Sequence, residues 1–99
     1  MTVTMGRDPN HDCVILDKMA SRNHARIEKR LDKFALIDQS ANGTYVTING
    51  RDEVVLRREE FILYGSGTIA FGESPRRDPG VTQVEFRYES PAERNAAGR

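Results

Sequence analysis

Apolar residues recur at every second position over short runs of this chain, which is the pattern of half-buried β-strands. Ala25 and Ile27 alternate with charged residues. Val84, Phe86 and Tyr88 alternate with polar residues near the other end of the chain. Helical periodicity does not recur. Seven more short runs are predicted strands: residues 2–5, 13–16, 34–38, 44–48, 54–56, 61–64 and 68–71.

Glycine, proline and asparagine clusters separate these runs and predict turns. They are Asp8-Pro9-Asn10, Asn42-Gly43, Asn49-Gly50, Gly65-Ser66-Gly67 and Asp78-Pro79-Gly80. Many short strands at close spacing indicate an antiparallel sandwich or barrel, so the predicted fold class is all-β. Residues 56–61 form the one segment in which a helical turn is expected, with its charges facing solvent.

Length and charge narrow the class of protein further. A chain of 99 residues makes one domain, and 15 basic residues balance 15 acidic ones. That balance provides no overall field for nucleic acid or an anionic membrane, so neither is an expected partner. No apolar run is long enough to span a bilayer, and a cytoplasmic location is predicted. Cys13 lies alone in an apolar run and is interpreted as a small buried hydrophobe. The domain is predicted to cover residues 1–89, with a disordered tail over 90–99.

Three polar stretches interrupt the apolar runs and are expected on loops. They are Gly6-Arg7, Ser21-Arg22-Asn23-His24 and Asn42-Gly43-Thr44. Arg7 offers a planar cationic fork, Ser21 a hydroxyl, and Asn42 an amide that both donates and accepts. This set of groups suits a dianionic phosphate attached to a peptide better than covalent chemistry.

In this order, the three stretches resemble the signature of forkhead-associated (FHA) domains, over roughly residues 5–72. The resemblance implies an FHA-type antiparallel β-sandwich that binds phosphothreonine-containing proteins or peptides through loops at one end. By resemblance, Arg7 and Ser21 contact the phosphate, and Arg22 reaches the phosphate or a flanking peptide residue. Asn42, with Gly43, holds the peptide main chain.

The resemblance also assigns supporting roles within the binding loops. Gly6 lets the chain turn sharply out of its strand at a point where a side chain would intrude, His24 braces a loop by hydrogen bonding, and Thr44 is structural. Each main binding residue also has a structural interpretation. Arg7 could form a surface ion pair, Ser21 could stabilise a turn, and Asn42 could be a turn residue that tolerates positive φ.

The sequence departs from the family at three places. Ala41 stands where a hydroxyl residue often lies near the phosphate, and residues 64–68 replace the usual glycine-aspartate turn. The family usually has another strand before residues 2–5, so the fold is predicted to lack its first strand. Residues 2–5 should then form an exposed edge and pair with a second copy of the chain.

Residues 56–61, 65–67 and 69–72 are similar to FHA domains found beside bacterial class III adenylate or guanylate cyclase domains. The resemblance therefore suggests a regulatory module of a bacterial signalling enzyme. The chain itself is not expected to be an enzyme, to bind a metal or to need a cofactor.

Competing hypotheses use the same residues. A hydrolase would combine Ser21 or Cys13 with His24 and one of Asp12, Asp17 or Asp38, but no nucleophile elbow is present. A metal site at His11, Asp12, Cys13 and His24 is disfavoured because adjacent residues of a strand point to opposite faces. The stronger alternative is a protein-interaction or dimerisation module that does not depend on phosphate.

Overall fold

The computed structural model describes residues 1–89, which form nine β-strands and no α-helix. This confirms the predicted all-β class. The strands are β1 (Thr2–Gly6), β2 (Cys13–Val14), β3 (Ala25–Arg30), β4 (Lys33–Asp38), β5 (Thr44–Ile48), β6 (Glu53–Leu56), β7 (Glu60–Ile62), β8 (Ser66–Phe71) and β9 (Gln83–Arg87).

The strands form two sheets, and all pairings except one are antiparallel. The first sheet has the order β2-β1-β3-β4-β7, in which β1 and β2 are parallel. The second sheet has the order β6-β5-β8-β9. Both sheets contribute to one apolar core, as expected for a β-sandwich.

The alternating sequence pattern explains how the sheets pack. Along β5, Thr44, Val46 and Ile48 are buried while the residues between them are half-exposed. Leu36 of the first sheet and Phe71 of the second are fully buried in the same cluster. Because side chains of a strand point alternately to its two faces, each sheet places one apolar face inward.

The expected helical turn at residues 56–61 is not present. Leu56 ends β6, Glu60 begins β7, and the bend between them contains Arg58 with a φ of 58°. The backbone N–H of Arg58 donates to Oδ2 of Asp38 at 2.8 Å. This contact to a residue distant in sequence holds the chain in a turn that local helix propensity does not predict.

The exposed edge also lies elsewhere than predicted. β1 is flanked by β2 and β3, and the N–H of Thr4 donates to Oδ2 of Asp12 at 2.9 Å. Within residues 1–89 the strands that pair on one side only are β2 and β7 in the first sheet and β6 and β9 in the second. Which strands lie at the edges of a sheet depends on the order of the strands in space, and the sequence pattern does not specify that order.

The tail that is predicted over residues 90–99 lies outside the described residues. Among the residues described, no helix has the length and apolar character needed to cross a membrane.

Candidate functional site

The three polar stretches meet at one end of the sandwich. Gly6 ends β1, Ser21 to His24 lead into β3, and Asn42 and Gly43 lead into β5. Direct backbone bonds join the first two stretches, because the N–H of Arg7 donates to the carbonyl of Ser21 at 3.0 Å. The strands therefore bring together residues that are far apart in the sequence.

Gly6 is required for close backbone approach. A Cβ at this position would overlap the carbonyl oxygen of Arg22 and lie 2.8 Å from Cδ2 of His11. Gly6 is not among the described glycines with positive φ, so a special turn conformation, as the sequence suggested, is not the reason for glycine here. The missing side chain lets the loop that carries Ser21 and Arg22 lie directly against the end of β1.

Arg7 is exposed, and its position is fixed by a hydrogen bond from one nitrogen of its guanidinium group. Its Nε donates to the carbonyl of Ala20. The Nη groups have no hydrogen-bond partner among the described residues, so they remain available to an anion. Arg22 is also exposed, with its Nη2 at 3.9 Å from Asp8 Oδ2. At that distance and exposure the ion pair is weak.

Ser21 uses its hydroxyl oxygen as an acceptor within the protein. The backbone N–H of Ala41 donates to Oγ of Ser21 at 3.0 Å. A hydroxyl that accepts one bond still has its own hydrogen to donate. Ser21 therefore links two loops and retains a donor for a ligand.

Asn42 and Gly43 shape the third loop. The Nδ2 of Asn42 donates to the carbonyl of Met19 at 3.0 Å, and Gly43 adopts a φ of 95°. Glycine is favoured at Gly43 because this left-handed region disfavours other residues. Among the described residues the Oδ1 of Asn42 has no partner, so it remains an acceptor for a ligand N–H.

His24 is fully buried between these loops, and both of its ring nitrogens are used. The N–H of Ser21 donates to Nδ1 at 2.9 Å, and Nε2 lies 2.9 Å from the carbonyl of Gly43. Nδ1 must therefore be the acceptor, and Nε2–H must be the donor. Burial lowers the pKa of His24, although the Gly43 carbonyl and Asp38 oppose this effect. His24 has no free lone pair with which to deprotonate Ser21, which argues against the hydrolase hypothesis.

Asp38 organises the third loop and is a residue that the sequence analysis missed as a site element. It is 3 % exposed, and its Oδ1 accepts from the hydroxyls of Ser40 and Thr44, each at 2.6 Å. Ser40 Oγ in turn accepts from the N–H of Gly43 at 2.8 Å. Asp38 ends the apolar strand β4 and is followed by polar residues. A charged residue at the end of an apolar run was the signal available in the sequence, because charged residues are rarely buried without partners.

Two further side chains join the site from positions that the sequence analysis assigned elsewhere. His11 Nε2 lies 2.7 Å from the carbonyl of Arg22, which it contacts as a donor. The Nη1 of Arg57 comes 3.7 Å from where a Cβ of Gly43 would lie. Arg57 was assigned to a solvated face, but it places another cation beside the binding loops.

The metal hypothesis finds no matching geometry. Among residues 1–89, no group of three or more His, Cys, Asp or Glu side chains could hold a metal ion. His24 points both ring nitrogens at backbone groups, as described above.

Comparison with known proteins identifies the family of the chain. The family model for the FHA domain matches residues 3–72. The chain therefore belongs to the FHA family, a family of phosphothreonine-binding modules rather than of enzymes.

Curated relatives are bacterial regulators. An oxoglutarate dehydrogenase inhibitor of Corynebacterium diphtheriae is 36% identical over 76 residues, covering 76% of this chain and 53% of that protein. The glycogen accumulation regulator GarA of Mycolicibacterium smegmatis is 32% identical over 78 residues, covering 78% and 49%. This chain thus spans about half the length of the curated relatives it matches.

A solved structure connects the fold with a ligand. The N-terminal FHA domain of Rad53p from S. cerevisiae, in complex with a phosphothreonine peptide, is 27% identical with a TM-score of 0.66. The match covers 88% of this chain and 68% of that one.

Proposed function

We propose that this chain binds phosphothreonine peptides through the loop end defined by Arg7, Ser21 and Asn42. The observation that carries the proposal is that each residue is fixed by one internal bond and retains a free polar group. The Arg7 Nη groups and the Ser21 hydroxyl would donate to phosphate oxygens, and the Asn42 Oδ1 would accept from a peptide N–H.

The electrostatics of the site suit a dianion. The guanidinium of Arg7 can make paired, charge-assisted bonds to phosphate oxygens. Arg22 and Arg57 add positive charge nearby, within a chain whose net charge is zero. A plain threonine peptide offers none of this charge, so the proposal requires that binding depends on the phosphate.

The buried network behind the loops supports the proposal through preorganisation. His24 joins the Ser21 loop to the Gly43 carbonyl, and Asp38 holds Ser40 and Thr44. Loops that are already ordered lose less conformational entropy when a peptide binds. Gly6, His24 and Thr44 are thus proposed as supporting residues, and Gly43 as part of the loop that contacts the peptide.

The first experiment compares one peptide with and without its phosphate. Calorimetric titration of the 99-residue chain should show binding of the phosphothreonine form and none of the plain threonine form at the same concentrations. Equal heats and equal affinity for both peptides would overturn the proposal and favour the phosphate-independent interaction module.

The second experiment removes the phosphate contact with a matched control. Loss of a hydrogen bond to a charged partner costs roughly 1.5–3 kcal/mol, so Arg7→Ala should weaken phosphopeptide binding about tenfold or more. Arg51→Ala removes another exposed arginine, which follows the opposite end of β5, and should leave the affinity unchanged. A folded Arg7→Ala protein with wild-type affinity would contradict the role of Arg7.

The biological setting is a finer part of the proposal. Bacterial regulators among the relatives support a signalling role in the cytoplasm, with a phosphorylated protein as partner. Regulation of a class III adenylate or guanylate cyclase is supported only by the resemblance of residues 56–72 to FHA domains beside such enzymes. Sequencing the coding region around this chain tests it, because the cyclase setting requires a cyclase domain or a cyclase gene there.

A further inference from the structure

β9 is an edge strand whose free side is lined by backbone groups. Within residues 1–89 it pairs only with β8, in a register that places Phe86 opposite Gly67. An unpaired edge is a template for another strand, and native proteins usually cover it or protect it with charge. The free edge of β9 is therefore a candidate site for pairing with another strand.

The alternation of hydrogen bonds between β8 and β9 determines which backbone N–H and C=O groups of β9 are free. The N–H of Tyr88 donates to the carbonyl of Gly65 at 2.7 Å. In an antiparallel pair the bonded residues alternate, so Phe86 and Val84 also bond to β8. The N–H and C=O groups of Glu85 and Arg87 then point to the open edge, as do those of Gln83.

The exposed charges of β9 make it complementary to a second, antiparallel β9. With the two-fold axis at Phe86, Glu85 of each chain lies opposite Arg87 of the other, and these are the residues whose backbone groups are free. A two-fold axis at Glu85 or at Arg87 would place like charges opposite each other. Opposite charges at directly facing positions stabilise a strand pair, whereas like charges destabilise it.

The inner face of β9 offers apolar surface to the same partner. Val84 and Phe86 are only half-buried although they pack against the core. Phe86 lines a cavity of about 210 Å³ with Val3, Ile27 and other apolar residues. In the register centred on Phe86, the two Phe86 side chains face each other at this opening.

We infer that two copies of this chain pair through their β9 strands, antiparallel and centred on Phe86, and join their four-stranded sheets into one of eight strands. The inference does not depend on the proposed function. The pairing is centred towards the end of β9 that is opposite Ser66 of β8, whereas the Asn42–Gly43 loop lies next to the other end, near Phe71.

Charge reversal tests this pairing on surface residues that leave the core unchanged. Sedimentation velocity at low ionic strength should show a dimer of the 99-residue chain. Glu85→Arg and Arg87→Glu, each alone, place like charges opposite each other and should raise the dimer dissociation constant at least about tenfold. The double variant Glu85→Arg/Arg87→Glu restores opposite charges and should dimerise within about threefold of wild type.

A disulfide test checks the register. The facing Phe86 positions form a non-hydrogen-bonded pair, with an expected Cα separation of about 4.5 Å that suits a disulfide. In a Cys13→Ser background, Phe86→Cys should therefore cross-link with oxidised glutathione. Val84→Cys, which faces Tyr88 of the other copy, should cross-link much more slowly.

Controls separate this result from the proposed function. Asp52→Arg reverses an exposed charge at the turn before β6 and should leave the dimer intact. Phosphopeptide affinity should be the same in Glu85→Arg and wild type. A monomeric wild-type chain at high concentration overturns the inference. A dimer unaffected by both single reversals overturns it as well.

Discussion

The loop end and the β9 edge of this sandwich treat polar groups in opposite ways. At the loop end, buried groups such as His24 and Asp38 have partners, and no buried side-chain polar atom of residues 1–89 lacks one. At the β9 edge, the backbone groups of Glu85 and Arg87 point away from their only neighbouring strand. Recognition of a small charged group benefits from fixed donors, whereas strand pairing requires donors and acceptors that are still free.

The difference extends to burial. The imidazole of His24 lies at the centre of the loop end and is fully buried. It packs edge-on against Phe71, with 5.3 Å between the two ring centroids. The β9 edge leaves Val84 and Phe86 half-exposed beside a cavity. We therefore expect substitutions in the loop network to change stability and substitutions on the β9 surface to change association.

The largest expected effect comes from breaking the loop network. Asp38→Ala leaves the hydroxyls of Ser40 and Thr44 and the N–H of Arg58 without their acceptor. The two hydroxyls are buried, and each unsatisfied buried group costs about 1–3 kcal/mol, so the free energy of unfolding should fall by at least about 2 kcal/mol. Urea denaturation measures this change.

Glu85→Arg is the matched control for that comparison, because it alters a charge on the β9 edge. Measured at a concentration where the chain is monomeric, its unfolding free energy should stay within about 0.5 kcal/mol of wild type. An Asp38→Ala protein as stable as wild type would show that the loop network is not a stabilising element.

A smaller effect is expected at the boundary between the network and the ligand. Ser21→Ala removes the hydroxyl that accepts from Ala41 and is proposed to donate to phosphate. We expect phosphopeptide binding to weaken about tenfold and the unfolding free energy to fall by about 1 kcal/mol.

Ser66→Ala provides the control for Ser21, since Ser66 also accepts a hydrogen bond, from Asn49, but at the other end of the molecule. Calorimetry should show unchanged phosphopeptide affinity for this variant. Equal losses of affinity in both variants would indicate a general effect on the fold rather than a contact with phosphate.

The next effect is a dependence of the unfolding free energy on pH, which originates in the loop end. Burial lowers the pKa of His24 from its ordinary 6.5, so below that pH the unfolded chain binds a proton that the folded chain resists. The His24 contribution is fully present above pH 6.5 and is lost as the pH falls towards the lowered value. The loss is at most about 1.4 kcal/mol per pH unit.

Denaturation at pH 7.5 and pH 5.5 measures that loss in wild type and in the His24→Asn variant. His24→Asn should reduce the difference in unfolding free energy between the two pH values, although it also destabilises the protein. The same pH dependence in wild type and His24→Asn would contradict the buried neutral imidazole.

The smallest expected effect concerns the ligand. Phosphoserine offers the same phosphate as phosphothreonine but lacks one methyl group, whose burial is worth on the order of 1 kcal/mol. Matched titrations should therefore show about fivefold tighter binding of the phosphothreonine peptide. Equal or tighter binding of phosphoserine would mean that the site does not bury the methyl.

Much of the fold could be predicted because alternation and turn residues act locally. The strand predicted at residues 44–48 coincides with β5, and Gly43 before it adopts the positive φ that favours glycine. Residues 56–61 were mistaken for a helical turn, because the contact from Arg58 to Asp38 joins positions that no local pattern connects.

The site follows the same division. Arg7, Ser21 and Asn42 could be selected from the sequence, since their side chains carry recognisable chemistry in a familiar order. The sequence did not indicate Asp38 as the centre of a network, nor Arg57 beside Gly43. Both depend on how the loops meet in space.

By itself, then, the sequence determined the β-class and the turns, because these depend on neighbours within a few positions, and it supplied the residues that are proposed to bind phosphate. Only the tertiary structure decided which strands lie at the sheet edges, which backbone atoms approach Gly6, and which tautomer His24 adopts. The physical reason is that strand order, close backbone approach and buried hydrogen bonds all join residues distant in the chain. Such contacts exist only once the two sheets have packed.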